Sequence, residues 1–236
     1  TEAKKYLASI NIDAFSRATA GSGMRKAPKR SDYLISDFPT IGRQKSLVIL
    51  IQFSDVKFSS IDNPHQFYDD MLNKEGFTWS NGANGSARDF YLQSSNRLFD
   101  PDFTVVGPVT LSNKATYYGS DDEGQDFRMG EAIKEACELV DDEVDFSEYD
   151  AVMVVHAGAG QEADILRDSP DDIHSAFMTL GNLAYYLPEG GVGFLGIPTD
   201  DGVYVREGLI VPEQESQDGF GLGVIGTMIH EFMHQL

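Results

Sequence analysis

Three residues near the C-terminal end of the chain have types and spacing that could do chemistry together. They are His230, Glu231 and His234, in the segment GTMIHEFMHQL (226–236), where they form an H-E-x-x-H motif. On a helix, residues four apart lie one above the other on one face, so two imidazoles can point at one metal ion. Glu231 follows the first histidine and can reach a water held by that ion. This pattern suits metal-assisted hydrolysis, with His230 and His234 as ligands and Glu231 as the acid/base.

A helix is expected here on independent grounds. At about 100° per residue, Ile225, Met228, Ile229, Phe232, Met233 and Leu236 fall within an arc of roughly 140°. That arc predicts a buried side, with the histidines and Glu231 outside it. Titratable groups buried among such apolar neighbours would need a partner, and a metal would be one. The bland alternative is an amphipathic helix whose polar face happens to carry His and Glu.

A catalytic zinc usually takes three protein ligands and one water. The chain stops two residues after His234. A ligand lying further downstream is therefore outside this sequence. The expectation is a fragment whose continuation supplies the ligand; the alternatives are an upstream group or another chain.

The rest of the chain must position these residues. At 236 residues, with 41% hydrophobic and 11% aromatic residues, it can bury a substantial core. No apolar run approaches the length of a membrane-spanning helix. The N-terminal TEAKKYLASI lacks the apolar centre of a signal peptide, so an exported protein would already have lost its signal. The net charge of −20 argues against nucleic acid as a partner. Charge is unevenly spread. Residues 1–45 hold nine Lys/Arg against four Asp/Glu, a net of +5, and residues 46–236 hold nine against 34, a net of −25. Residues 1–44 are read as a basic extension containing a linker, AGSGMRKAPKR. It is either a flexible surface segment or the remnant of a pro-segment held against the acidic body. Residues 45–236 are read as the domain. Cys137 is the single cysteine, so no intrachain disulfide forms, and a small buried residue is expected there.

Along the domain, LVILIQF reads as a strand buried on both faces. Asn63 and Pro64 read as N-cap and first residue of a helix reaching Asn73. SARDFYLQSSN (86–96) reads as a helix with Phe90 and Tyr91 toward the core. FTVVGPVTL (103–111) reads as a strand interrupted by Gly107-Pro108, which suggests a bend or an edge position. Met129–Val140 has Ile133, Cys137 and Val140 at helical spacing. AVMVVH (151–156) is another buried strand, and its His156 stands at a strand end where ligands bind in α/β proteins. His156, His65 and His174 are nonetheless read as structural or surface residues. Tyr204–Val211 is read as the strand before the motif helix, with the four glycines of 219–226 between. The acidic clusters at 121–123, 141–143 and 171–172 offer oxygen ligands to calcium, but none has the spacing of a known calcium loop. They are read as a solvated face, and no calcium site is located.

The segments resemble those of the immune inhibitor A family of secreted zinc metallopeptidases. The pieces that match are LVILIQFSD (47–55), SARDFYLQSSNRLF (86–99), VVGPVTL (105–111) with Tyr117-Tyr118-Gly119, VDFSEYD (144–150), VVHAGAGQE (154–162), LIVPE (209–213) and IGTMIHEFMHQL (225–236), in that order. The resemblance implies an α/β (α+β) zincin-like domain: a twisted, mixed, mostly parallel sheet with helices, and the motif helix beneath a cleft. It implies zinc held by His230 and His234, Glu231 as the catalytic acid/base, a protein or peptide substrate, and a secreted or cell-surface location. In the family the motif continues through a Gly to a downstream acidic ligand, which this sequence does not reach. Relatives often carry a calcium-loop-like insertion near Tyr149-Asp150, absent here, and usually have Gly where this chain has Met233. An apolar position on the buried side of the helix is expected for Met233. Substrate is expected to add as an extended strand near Tyr204–Val211. Two other functions fit the same residues: an inactive zincin-like binding module, and a metal-dependent hydrolase of non-peptide substrates.

Overall fold

The computed structural model describes residues 38–80, 82–122, 125–126, 128–162, 164, 166–215 and 224–236. Most of the basic N-terminal extension, its linker included, and most of the 219–226 glycine segment lie outside these residues.

The apolar runs become the centre of a five-stranded sheet. Strand β1 spans Gly42–Gln52, starting ahead of the apolar run LVILIQF. Two helices follow, α1 (Pro64–Asn73) and α2 (Ala87–Ser94). Then come β2 (Phe99–Thr110), the short α3 (Ala115–Tyr118) and a hairpin of β3 (Asp121–Asp122) with β4 (Gln125–Asp126). Helix α4 occupies Met129–Val140, as its periodicity predicts, and β5 is Ala151–Ala159. After β6 (Ala176–Met178) and α5 (Leu180–Tyr186), a second small hairpin pairs β7 (Ile197–Pro198) with β8 (Tyr204–Val205). The chain ends with β9 (Gly208–Gln214) and α6 (Val224–Met233).

The sheet order is β2-β1-β5-β9-β6. The first four strands are parallel and β6 alone runs antiparallel, against β9. This is the mixed, mostly parallel α/β architecture expected, and it is consistent with a zincin-like domain. Side chains alternate across each strand. Leu47, Ile49 and Ile51 of β1, with Val152 and Val154 of β5 and Ile210 of β9, face a core closed by α4 and α5. Val48 and Leu50, with Met153 and Val155 and with Leu209 and Val211, face the opposite core, closed by α1, α2 and α6. Both faces are covered, so the central strands read as continuous apolar runs rather than alternating ones.

Strand β2 is an edge, as Gly107-Pro108 suggests. That peptide is cis, and Gly107 has φ +89° with a Cβ position only 2.6 Å from the Leu50 carbonyl oxygen, so no side chain fits. Two expectations need correction. Tyr204–Val211 is not one strand: Tyr204–Val205 belongs to the small hairpin, and β9 starts at Gly208, deep in the sheet. Phe90 is exposed and Tyr91 is buried. Neighbours on a helix are about 100° apart, and the stripe facing the core is Ala87–Tyr91, one turn apart.

Helix α2 starts on a capping box. Ser86 Oγ accepts from the Asp89 amide at 3.1 Å, and Asp89 Oδ2 accepts from the Ser86 amide at 3.0 Å. Asp89 Oδ2 also accepts from the Gly76 amide at 2.8 Å, tying the loop before the helix to it. Ser86→Ala should cost about 1 kcal/mol in chemical denaturation.

Candidate metal centre

Helix α6 is fixed by one side chain above all. Phe232 is 1% exposed and sits among the rings of Phe103 (5.3 Å between centroids), Phe38 (5.5 Å), Tyr91 (5.5 Å) and Phe99 (6.3 Å). Met228, one turn earlier, is buried on the same stripe. Opposed to this seat, the motif's polar residues turn outward.

The α-helix ends at Met233, and the chain then tightens. The His234 amide donates to the Glu231 carbonyl at 3.1 Å, Gln235 to Phe232 at 3.2 Å and Leu236 to Met233 at 3.1 Å. These are i to i+3 bonds, which advance the chain about 120° per residue and bring i and i+3 into line. Gln235 therefore falls under Phe232 and is buried, while Leu236 swings out to 46% exposure. Met233 is 51% exposed, about 100° round from Phe232. The expected buried side is thus narrower than the sequence arc: Met233 and Leu236 are not on it. Met233, the position where the resemblance leads one to expect Gly, faces solvent.

The structure brings His230, Glu231 and His234 together. One ligating atom from each lies within 4.8 Å of the others. The two imidazole centroids are 5.2 Å apart, with ring planes at 82°. Glu231 lies between them: Oε1 is 3.9 Å from His230 Nε2, and Oε2 is 4.0 Å from His234 Nε2. The histidine side chains are 71% and 53% exposed and Glu231 is 12% exposed. The expectation that burial would demand a metal partner therefore does not hold for the imidazoles, which can be hydrated. What fits an ion is the geometry: two nitrogens and a carboxylate converge on one small volume open to solvent. The His234 ring also stacks on Phe177 of β6, at 6.2 Å and 12°, which restricts its rotation.

The other histidines stay apart, as expected. His65 Nε2 is 2.9 Å from the Val105 carbonyl oxygen, holding α1 to β2. His156 is buried, with Nδ1 3.0 Å from the Ala157 carbonyl oxygen, and burial lowers its pKa and keeps it neutral. His174 is exposed.

Sequence reasoning missed Glu213, a buried carboxylate. Its Oε1 accepts from the amides of Ser59 (3.1 Å) and Ser60 (2.8 Å) and from the Ser60 hydroxyl, and Oε2 accepts from the Gly158 amide at 2.9 Å. It ties the loop after β1 to the ends of β5 and β9. No local pattern marks such a residue, because its partners come from two other segments.

Among the described residues the side chains that converge as a ligating group are His230, Glu231 and His234, and the acidic clusters at 141–143 and 171–172 form no such group. At 171–172 the carboxylates repel instead. Burial, and then the charges of Asp164, Asp171, Glu162 and Asp168, push Asp172 up to about 6. Its folded value lies above the unfolded one, so the charged form destabilises the fold at neutral pH. Asp172→Asn should stabilise the protein at pH 7.5 by about 1 kcal/mol, a figure discounted for partial exposure. The gain should shrink as pH falls through about 6 and vanish near 4, in paired urea titrations.

The sheet also corrects where a peptide could add. β9 is paired on both sides, by β5 and β6, so the backbone at 209–210 offers no edge. The outer strand next to the motif is β6, whose Phe177 touches His234.

Comparison with known proteins bears on the chain's relationships. The family model described as immune inhibitor A peptidase M6, catalytic domain, matches residues 36–152. Immune inhibitor A of Bacillus thuringiensis subsp. alesti is 25% identical over 237 residues, covering 83% of this chain. The chain is immune inhibitor A-like. It covers 33% of that relative, and so spans about a third of its length. The family match takes in β1 through the start of β5 and ends before the H-E-x-x-H motif. The motif is therefore an observation separate from the family-model match.

Proposed function

We propose that the protein is a secreted zinc-dependent endopeptidase that hydrolyses peptide bonds of extracellular proteins. The observation that carries this reading is the convergence of His230, Glu231 and His234 within 4.8 Å, on a helix seated against the sheet beside its antiparallel edge strand. The relationship to immune inhibitor A peptidases supports the same chemistry.

His230 and His234 would hold the ion through Nε2. Zinc there would supply a Lewis acid for the scissile carbonyl and would bring the pKa of water toward 7. The chain's own residues do the rest. Glu231 takes the proton of the attacking water and delivers it to the leaving amine. Phe177 fixes the His234 ring. The backbone of β6 pairs with an extended substrate and lays its scissile bond across the motif.

Replacing His230 and His234 together by alanine should abolish metal retention after dialysis and abolish peptide hydrolysis, while the melting temperature of the metal-free protein stays unchanged. The unchanged melting temperature is expected because both rings are exposed. A variant that keeps its metal would sink the ligand assignment. A wild-type protein that holds zinc but turns over no peptide in a broad library would favour the binding module, and turnover of esters alone would favour the non-peptide hydrolase.

A further inference from the structure

Tyr91 lies on α2, 138 residues before the residue it contacts. Its ring is buried in the core between the sheet and α6, against Phe99 and Phe232 at 5.5 Å each. Its hydroxyl donates to the backbone carbonyl of Ile229 at 2.8 Å. Burial pushes the phenol's pKa well up, so it stays protonated and remains a donor. Ile229 immediately precedes His230 and begins the last α-helical turn, after which the chain changes to i to i+3 bonding.

We infer that Tyr91 is a positioning residue for the proposed metal centre: its hydroxyl fixes the rotation and height of the last turn of α6 and so where His230 and His234 present their ring nitrogens. The inference rests on the metallopeptidase reading for its metal and on the structure for its geometry. The seat around Phe232 holds α6 against the sheet, but the burial that drives it is non-directional. A hydrogen bond to one carbonyl is directional and sets both rotation and height. The requirement is tight. Side-chain tips lie about 5–6 Å from a helix axis, so a 20° roll moves an imidazole by about 2 Å, against a tolerance of about 0.2 Å in metal–ligand distance. The bond also stands at the residue just before His230, one turn ahead of the change in helical spacing after Met233.

A second buried tyrosine supplies the contrast. Tyr68 of α1 is fully buried in the same core, and its hydroxyl has no hydrogen-bond partner among the described residues. It packs as Tyr91 does but directs nothing at α6.

The test compares Tyr91→Phe and Tyr68→Phe in the whole protein. Both keep the ring and lose only a hydroxyl, so both should fold. Zinc affinity is read by chelator competition, the cobalt-substituted site by its visible spectrum, and metal-free protein by amide hydrogen exchange over residues 229–236. Tyr91→Phe should weaken metal binding about 10- to 100-fold, alter the cobalt spectrum and speed exchange in the last turn. Tyr68→Phe should leave all three unchanged. If Tyr91→Phe lowers the melting temperature but leaves affinity, spectrum and local exchange as in wild type, the hydroxyl is structural and the inference fails. If the wild type binds no metal at all, the metallopeptidase reading falls, and the exchange measurement alone decides whether Tyr91 sets the last turn.

Discussion

Glu231→Gln should lower peptide hydrolysis by about 10²- to 10⁴-fold while leaving bound metal and melting temperature at wild-type values. Glutamine has nearly the same shape and still offers a carbonyl oxygen, but it cannot take up a proton. Glu231 is the least exposed of the three motif side chains, at 12%, and stands 3.9 and 4.0 Å from the two Nε2 atoms. From there it reaches the volume the imidazoles face without occupying a histidine's place. The check is turnover of a peptide library beside metal content measured on the same preparation. A fully active variant would remove Glu231 from the mechanism. A variant that loses its metal as well would show the carboxylate acting as a ligand rather than as an acid/base.

Phe232→Ala should cost about 3–5 kcal/mol of stability, the range for truncating a buried aromatic ring. The side chain is 1% exposed and meets four other rings, from Phe38, Tyr91, Phe99 and Phe103. Those rings belong to separate parts of the chain and cannot all move into the cavity, so the cost should fall toward the upper end. The neighbouring Met233→Ala makes a fair control. Met233 is 51% exposed, and its truncation should change stability by no more than about 0.5 kcal/mol. Equal losses from the two in urea denaturation would contradict the packing described.

These two residues, side by side, mark what the sequence makes legible. The triad is local: two histidines four apart and a glutamate between them depend only on helical spacing. Local signals were also enough for α4, whose apolar stripe has the helical period, and for the start of α1. Asn63 Oδ1 accepts from the Gln66 amide at 3.3 Å, with Pro64 at the first helical position, as the sequence suggests. The seat of Phe232 is not local. It needs Phe38 and three further rings brought together by the sheet, and periodicity says nothing about which side of α6 they occupy. The arc of apolar residues therefore placed Met233 and Leu236 inward, although the change to i to i+3 bonding after Met233 puts Gln235 there instead. Strand β6 was invisible for another reason. Three residues, Ala176–Met178, are too few for an alternating pattern, and the strand exists through its pairing with β9. The most consequential error follows from that: with β6 unseen, the peptide-binding edge is expected at residues that lie partly in a separate hairpin and partly in the interior strand β9.

The central claim is that His230 and His234 hold one catalytic ion for Glu231 to work beside. Elemental analysis of the purified protein after exhaustive dialysis tests it most directly, run beside the double His230→Ala, His234→Ala variant. The account predicts about one zinc per chain in the wild type and none in the variant, with hydrolysis following the metal. Zinc retained by the variant, or hydrolysis by a wild type that holds none, would contradict it.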